Sequence, residues 1–598
     1  MQLQLQPTLT HAIDQSIKAQ SLQKTAAILA VVAILSGCGT TPLPPWPGNT
    51  AAKPVVPAPI PGKVLPPSST SSSGAVVTPL PPTAGQGLSA KPTPELPPQA
   101  AVSARFAEPA ITYETPGLAL QRKAFTTNTE LTTWLRSIAQ APLPNTLSSM
   151  VAAGTSQQGS TVWAMVFSRA SSATPAALEA TGKPTVLLIG QQHGDEPAGA
   201  EALLVLAREL GQGLLEPLLD RINVVIVPRA NPDGAAIDAR LTSNGIDLNS
   251  DHLTLDTPEA QALAKLVRTY RPMVVVDAHE YPAVDPALRP WNVVPKYDAM
   301  VQYSTTPNYP EFLAKASQEW IYQPLVQALQ SQKLTSEWYH SPASEPSGGL
   351  RMTMGSTAPD NGRNVHGLKN TISLLIETRG VGLDRSHIQR RVHTHVTAIT
   401  SVLRSTAERA PSLEQVRTFV SKDISAQACR DFFTLQARPT TSTRDLIFLD
   451  ANTGVDRILP VQWESATALQ ATQTRARPCG YWLAPSASNA AERLRQLGLQ
   501  VLRIGEAGAM LAEAYYPAAA SQAALAQNSA QAINPTRLAI DAAPGSFYVP
   551  LNQPLAYLAI AALEPDTPFS YLRHGLVPQM GDVMRVVSPP SLVFEETD

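Results

Sequence analysis

His193 and Glu196 stand three residues apart in the stretch QQHGDEPAG, between the apolar runs PTVLLIG and AEALLVLAREL. An imidazole and a carboxylate at that spacing, where a buried strand gives way to a helix, can meet within one turn. Both are zinc donors, and a catalytic zinc takes three protein ligands and keeps one position for water. The third donor has to come from a neighbouring strand end, and His279 in VVVDAHEY stands at one. Singly, each part is weak. His-x-x-Glu is more often a surface salt bridge or a helix-start feature, and a histidine at a strand end is more often a hydrogen-bonded structural residue. Together, in this order, they describe a metal centre. The donor set also fits other divalent metals, because selectivity depends on geometry and supply.

Such residues need elements that carry them to one place. PTVLLIG, INVVIVPRANPDG, PMVVVDAHEY and TISLLIETRG read as buried strands, and STVWAMVFS as a further strand. TTNTELTTWLRSIAQ, GAEALLVLARELGQG and TPEAQALAKLVRTY have apolar residues at helical spacing. Apolar strands alternating with amphipathic helices predict an α/β sheet covered on both faces. Polar residues gather where the strands end, which is where open α/β sheets hold their sites.

In the same order along the chain, HGDE, PRANPDG, RLTSNGIDLN, DAHEY and LLIETRG resemble the zinc carboxypeptidases, the group that includes carboxypeptidase A. The resemblance covers roughly 110 to 400. It implies a mixed, mostly parallel sheet with helices on both faces. It also implies one zinc ion held by His193, Glu196 and His279, and hydrolysis of C-terminal peptide bonds. Zinc there lowers the pKa of water from 15.7 toward ~7 and polarises the carbonyl. Glu377 falls at the general base and acid, and Arg240 at the arginine that stabilises the oxyanion. Asp247 matches a carboxylate that orients the first histidine. Asn249 matches an asparagine that helps bind the substrate's terminal carboxylate.

Two departures from the pattern matter. The family follows that asparagine with an arginine that clamps the free carboxylate, and this chain has Ser250, which cannot make a bidentate, charge-assisted contact. Arg379, two residues past Glu377, is the expected replacement. The family also places a mobile tyrosine about twenty residues before the base. MGSTAPDNGRNVHG holds none, and neither Tyr339 nor His366 is assigned to the role. The insert NVVPKYDAMVQYSTTPNYPEF either shapes the cleft or is a surface excursion. Two other functions stay open: a zinc amidase or deacylase acting on cell-wall peptides or acylated amino acids, and a lipoprotein that only binds peptides.

The remainder of the chain concerns location. Lys18 and Lys24 precede TAAILAVVAILSGC, an apolar run of roughly half the ~20 residues a spanning helix needs. Residues 1–37 read as a signal peptide. Leu35-Ser36-Gly37-Cys38 resembles the bacterial lipobox, which implies lipid on Cys38, and Gly39 after it implies sorting to the outer membrane, facing the periplasm. The other reading is a plain secretory signal. Residues 38–109 hold much of the chain's 55 prolines, with serines between, and read as a disordered tether. Residues 110–404 are the expected catalytic domain, and 405–598 a smaller accessory α/β domain without a chemical motif. Cys429 and Cys479 either pair, as an oxidising compartment allows, or stay separate thiols. A net charge of −2 over 598 residues leaves no footprint for nucleic acid.

Overall fold

The structure, a computed structural model, describes residues 100–343, 348–516, 535–567 and 569–595. The signal peptide, Cys38 and the tether up to residue 99 lie outside the described residues. Residues 91–598 form one compact unit.

Strands β1 (Leu147–Thr155), β2 (Thr161–Ser168), β3 (Thr185–Gly190), β4 (Asn223–Val227) and β5 (Val274–Pro282) open the fold. After them come β6 (Val293–Val294), β7 (Ala299–Tyr303), β8 (Ser336–Trp338), β9 (Ser341–Ala343), β10 (Arg351–Thr353) and β11 (Ile372–Val381). Eight of these build the main sheet in the order β1-β2-β4-β3-β5-β11-β7-β8. Its centre, β4-β3-β5-β11, is parallel. β2 joins on one side and β7 on the other, both antiparallel to their neighbours. Every residue of β3 and β4 is buried, which is why these strands read as unbroken apolar runs rather than alternating ones. The mixed α/β sheet expected from the sequence is therefore present.

The helices that carry the site follow their local signals. Helix Asn128–Gln140 opens on a capping box between Thr127 and Glu130. Helix Pro197–Gln212 has proline in its first turn, where the missing N–H costs nothing, and ends at Gly213. It lies close against β5. A Cβ on Gly199 would stand 2.8 Å from the Ala278 carbonyl oxygen, so only glycine lets the helix approach the strand that holds His279.

The insert that begins at Asn292 is not a surface excursion. It supplies β7, buried throughout and paired with β11. Residues before Ala110 also belong to the fold. A short helix, Ala100–Ser103, buries Val102, and Phe106 joins it in a core with Val294 and Leu449. The boundary placed between residues 404 and 405 falls inside a 39-residue helix, Ile388–Ala426. Among the described residues, no helix is long and apolar enough to cross a membrane.

Beyond that helix, β12 (Phe432–Asp450) and β13 (Asp456–Ala476) form a long hairpin that joins β6, β10 and β9 in a second sheet. Its tip half packs Leu446, Phe448, Val461 and Trp463 onto Tyr281, Met352 and Met354 of the preceding segment. A third sheet follows, made of β14 (Gly480–Leu483), β15 (Leu502–Arg503), β16 (Gly508–Tyr515), β17 (Pro535–Ala542), β18 (Phe547–Pro550) and β19 (Val583–Val586). Helices Ser488–Leu497 and Ala556–Leu563 accompany it. Arg475 of β13 reaches it and bonds Glu564 and Asp566, and Tyr481 donates to Glu564, so these buried charges have partners. Cys429 and Cys479 form a disulfide that ties the end of the long helix to the third sheet.

Candidate active site

The site lies where the parallel strands β3, β5 and β11 end. β3 stops at Gly190, and His193 follows in the turn. Glu196 directly precedes helix Pro197–Gln212, but its side chain makes no capping bond. Its carboxylate is instead drawn to two imidazoles. Oε1 is 2.7 Å from His193 Nδ1 and Oε2 is 2.8 Å from His279 Nδ1. The two Nδ1 atoms are themselves 3.1 Å apart. Glu280 N–H donates to Oε2 and Arg240 Nη1 to Oε1, each at 3.1 Å. All three donor residues are buried, with ligand atoms within 4.8 Å of one another.

The outer nitrogen of each imidazole faces a carboxylate, and that of His193 does so in hydrogen-bond geometry. His193 Nε2 is 3.1 Å from Asp247 Oδ1. His279 Nε2 is 2.9 Å from Asp277 Oδ2, which also accepts from Gln192 Nε2 at 2.6 Å. Gln192 Oε1 in turn meets His252 Nε2 at 2.8 Å. A carboxylate behind each imidazole fixes ring orientation and tautomer and raises basicity, the arrangement usual for metal-bound histidine. Two inward nitrogens, one inward carboxylate and two outward carboxylates fit zinc, and His193, Glu196 and His279 are the residues that would hold it.

Electrostatics agree with that fit. Burial alone would lower the His193 pKa, but the Glu196 and Asp247 carboxylates outweigh it and hold the ring up at about 9. His279 is likewise raised well above its ordinary value against burial, by Asp277 and Glu196. Burial would raise Glu196, yet the two imidazoles bring it below the usual carboxylate range. A divalent cation held here would compete with protons for the two imidazoles.

Glu377 enters by register. β11 runs parallel to β5 with Glu377 paired to His279. The base expected from the sequence thus lies one strand from the third ligand, buried. Burial pushes its carboxyl up to about 7; the imidazoles and Arg240 pull the other way, and Glu196 adds to the rise. Arg240 also reaches Asp247, at 3.3 Å, and its side chain is half exposed at the mouth.

The other expected substrate contacts part company. Asn249 stays near the site, with its N–H on Asp247 Oδ1 at 3.0 Å and its Oδ1 accepting from Gly362 N at 3.2 Å. Ser250 is exposed. Arg379 does not reach the pocket: its guanidinium sits 4.4 Å over the Phe106 ring and donates to the Ala283 carbonyl. A bulge between Arg379 and Val381, between the last two pairs of β11 with β5, accompanies this departure. His366 is buried edge-on against His252 and has no partner for either ring nitrogen among the described residues. Asp277, Gln192 and His252 were missed in the sequence. Only Asp277 carried a signal, since its two-residue spacing from His279 in a strand puts both side chains on one face.

Comparison with known proteins agrees with the geometry. Residues 131–393 match the family described as zinc carboxypeptidase. Carboxypeptidase 2 of Trichophyton rubrum is 25% identical over 415 residues, which span 66% of this chain and 74% of the fungal one. Carboxypeptidase D of Mus musculus is 29% identical over 220 residues, 30% of this chain and 16% of the mouse protein. Among solved structures, a metallo-carboxypeptidase from Burkholderia cenocepacia is 19% identical, with a TM-score of 0.35, over 47% of this chain and 69% of the other. The amidase or deacylase reading and the binding-protein reading are not favoured by these relatives. Residues 131–393 therefore carry a zinc carboxypeptidase domain, and with these relatives the chain is a zinc metallocarboxypeptidase.

Proposed function

We propose that this enzyme removes residues from the free C-terminus of peptides, with His193, Glu196 and His279 as the zinc ligands and Glu377 as the group that moves the proton. The observation that carries the reading is the register of β5 and β11, which sets Glu377 beside His279. When bound, zinc supplies a polarised carbonyl and a water made acidic enough to attack near neutral pH. A carboxyl pushed up to about 7 is divided between its two forms at neutral pH. Glu377 can therefore accept the water proton and return it to the leaving amine, the match of pKa to task that general catalysis needs. Arg240, held by Glu196 and Asp247 and half open to solvent, is placed to donate to the oxygen that gains charge. Asp247 keeps His193 oriented through its Nε2.

Two peptides of one sequence, one ending in a free carboxylate and one amidated, test this reading by mass spectrometry of the zinc-loaded enzyme. Stepwise loss of single residues from the free peptide is expected. Equal cutting of both peptides, or fragments from internal cleavage, would contradict it.

The same proposal includes export and a lipid anchor on Cys38 in the outer membrane, with the enzyme facing the periplasm. Its supports are the basic and apolar leader, the LSGC sequence with Gly39 after it, and the Cys429–Cys479 disulfide, which suits an oxidising compartment. Cys38→Ser checks the anchor. The variant is expected to move from the membrane fraction to the soluble periplasmic fraction, and a variant still pelleting with the membrane would rule the anchor out.

A further inference from the structure

Ser250 leaves the site without the arginine that the family places beside its asparagine, and Arg379 lies elsewhere. We propose that Arg363, with the Tyr339 hydroxyl beside it, receives the C-terminal carboxylate of the substrate. This rests on the carboxypeptidase reading above and assigns its specificity to two residues far from position 250 in sequence.

Arg363 is brought to the site by the residue that was to neighbour the missing arginine. Asn249 Oδ1 accepts the Gly362 N–H at 3.2 Å, so the chain docked on the Asn249 loop continues directly into Arg363. The helix that begins there, Gly362–Leu368, is capped by Asn361, whose side chain accepts from Asn364 N, and is buried along its length. That cap fixes where the Arg363 side chain leaves the backbone.

The state of the guanidinium is the second argument. Arg363 is only 5% exposed. Its Nη2 donates to the Ser356 carbonyl at 2.9 Å, and its Nε has no partner among the described residues. A guanidinium carries five N–H donors in a planar fork matched to a carboxylate. A buried cation with unused donors is costly unless an acceptor arrives. A carboxylate from the substrate is the acceptor whose charge and shape meet both needs.

Tyr339 completes the arrangement from the sheet. Its N–H donates to Val301 O at 3.1 Å, and Val301 of β7 pairs with Ile376, the residue before Glu377. Tyr339 therefore stands on the far side of β7 from β11, the strand of the proposed base. Gly355 joins it to Arg363. A Cβ on Gly355 would lie 2.8 Å from the Tyr339 ring and 3.5 Å from Arg363 Nη2. The backbone there has φ +57°, which also favours glycine. Ring and guanidinium thus share one small space. Burial raises the Tyr339 hydroxyl pKa, and the charges acting on it are Glu377, Arg363, Arg240 and Glu196. Burial lowers that of Arg363, opposed by Tyr339, Glu377 and Asp277. Both groups accordingly lie within electrostatic reach of Glu377.

The decisive comparison uses the full zinc-loaded chain and the paired free and amidated peptides, with Arg363→Gln, Arg363→Lys and Tyr339→Phe. Arg363→Gln is expected to lower kcat/KM for the free peptide by at least about 30-fold, as loss of one partner of a buried charged pair does. The loss should appear mainly in KM, with the preference for free over amidated peptide falling by a similar factor. Arg363→Lys keeps the charge without the fork and is expected to recover part of the loss. Zinc content and melting temperature, read in parallel, separate a binding defect from a folding one. Variants that fold, hold zinc and keep the wild-type KM and preference would overturn the assignment. Should the Arg363 variants fail to fold, Tyr339→Phe decides alone, and an unchanged KM for the free peptide refutes the pair. A wild-type enzyme that releases no C-terminal residue would instead sink the reading on which the assignment rests.

Discussion

Glu377→Gln is expected to lower kcat for C-terminal residue release by about 10²- to 10⁴-fold, the usual span for loss of a general acid–base group. KM and zinc content should change little. The expectation follows from where the side chain is held. Glu377 is fixed in the interior of the sheet by pairing with β5 on one side and β7 on the other. It lies outside the proposed zinc ligand set of His193, Glu196 and His279. Glutamine keeps the size and hydrogen-bonding shape but cannot take a proton. Rates should be taken under single-turnover conditions with zinc measured on the same sample. A variant that retains a tenth or more of the wild-type kcat would remove Glu377 from the reaction.

His279→Ala should be the more severe change for the metal. It removes one of three donors and leaves Glu196 without the imidazole at 2.8 Å and Asp277 without its neighbour at 2.9 Å. Loss of a group that merely supports a ligand costs about 10- to 100-fold in metal affinity or activity. Loss of the ligand itself should cost more than that, with hydrolysis falling in step with bound zinc. Competition against a chromophoric chelator at fixed pH measures the affinity directly. Affinity within tenfold of wild type would place the metal somewhere else.

Much of this arrangement could be read in the sequence, for definite physical reasons. β3, β4, β5 and β11 are covered on both faces, so they appear as continuous Val, Ile and Leu runs. The zinc donors sit where such runs meet polar residues, and the order of several short motifs tied them together. β7 was hidden because AMVQY is five strand residues inside a polar, proline-bearing insert. The long helix was missed because Pro411 and a dense charge pattern break its apolar periodicity, yet Val402, Leu403, Leu413 and Val416 are all buried along it.

Arg379 shows a different limit. Its spacing from Glu377 was right for sharing a face in a strand. What moved it was the Phe106 ring, supplied by a segment assigned to the tether more than 270 residues earlier. Contacts of that range leave no local trace. The same holds for Arg363, which meets the Asn249 loop only through Gly362, and for Gln192, whose link from Asp277 to His252 needs three separate elements.

The most direct measurement is a zinc titration of the metal-free enzyme, following C-terminal residue release from a free-carboxylate peptide alongside bound metal. For the wild type, the rate should rise in proportion to zinc and break at one equivalent per chain. Glu377→Gln should take up the same single equivalent and stay at the foot of the curve. Release that needs no metal, or a Glu377→Gln curve that overlays the wild type, would contradict a reaction carried by one zinc between His193, Glu196 and His279 with Glu377 moving the proton.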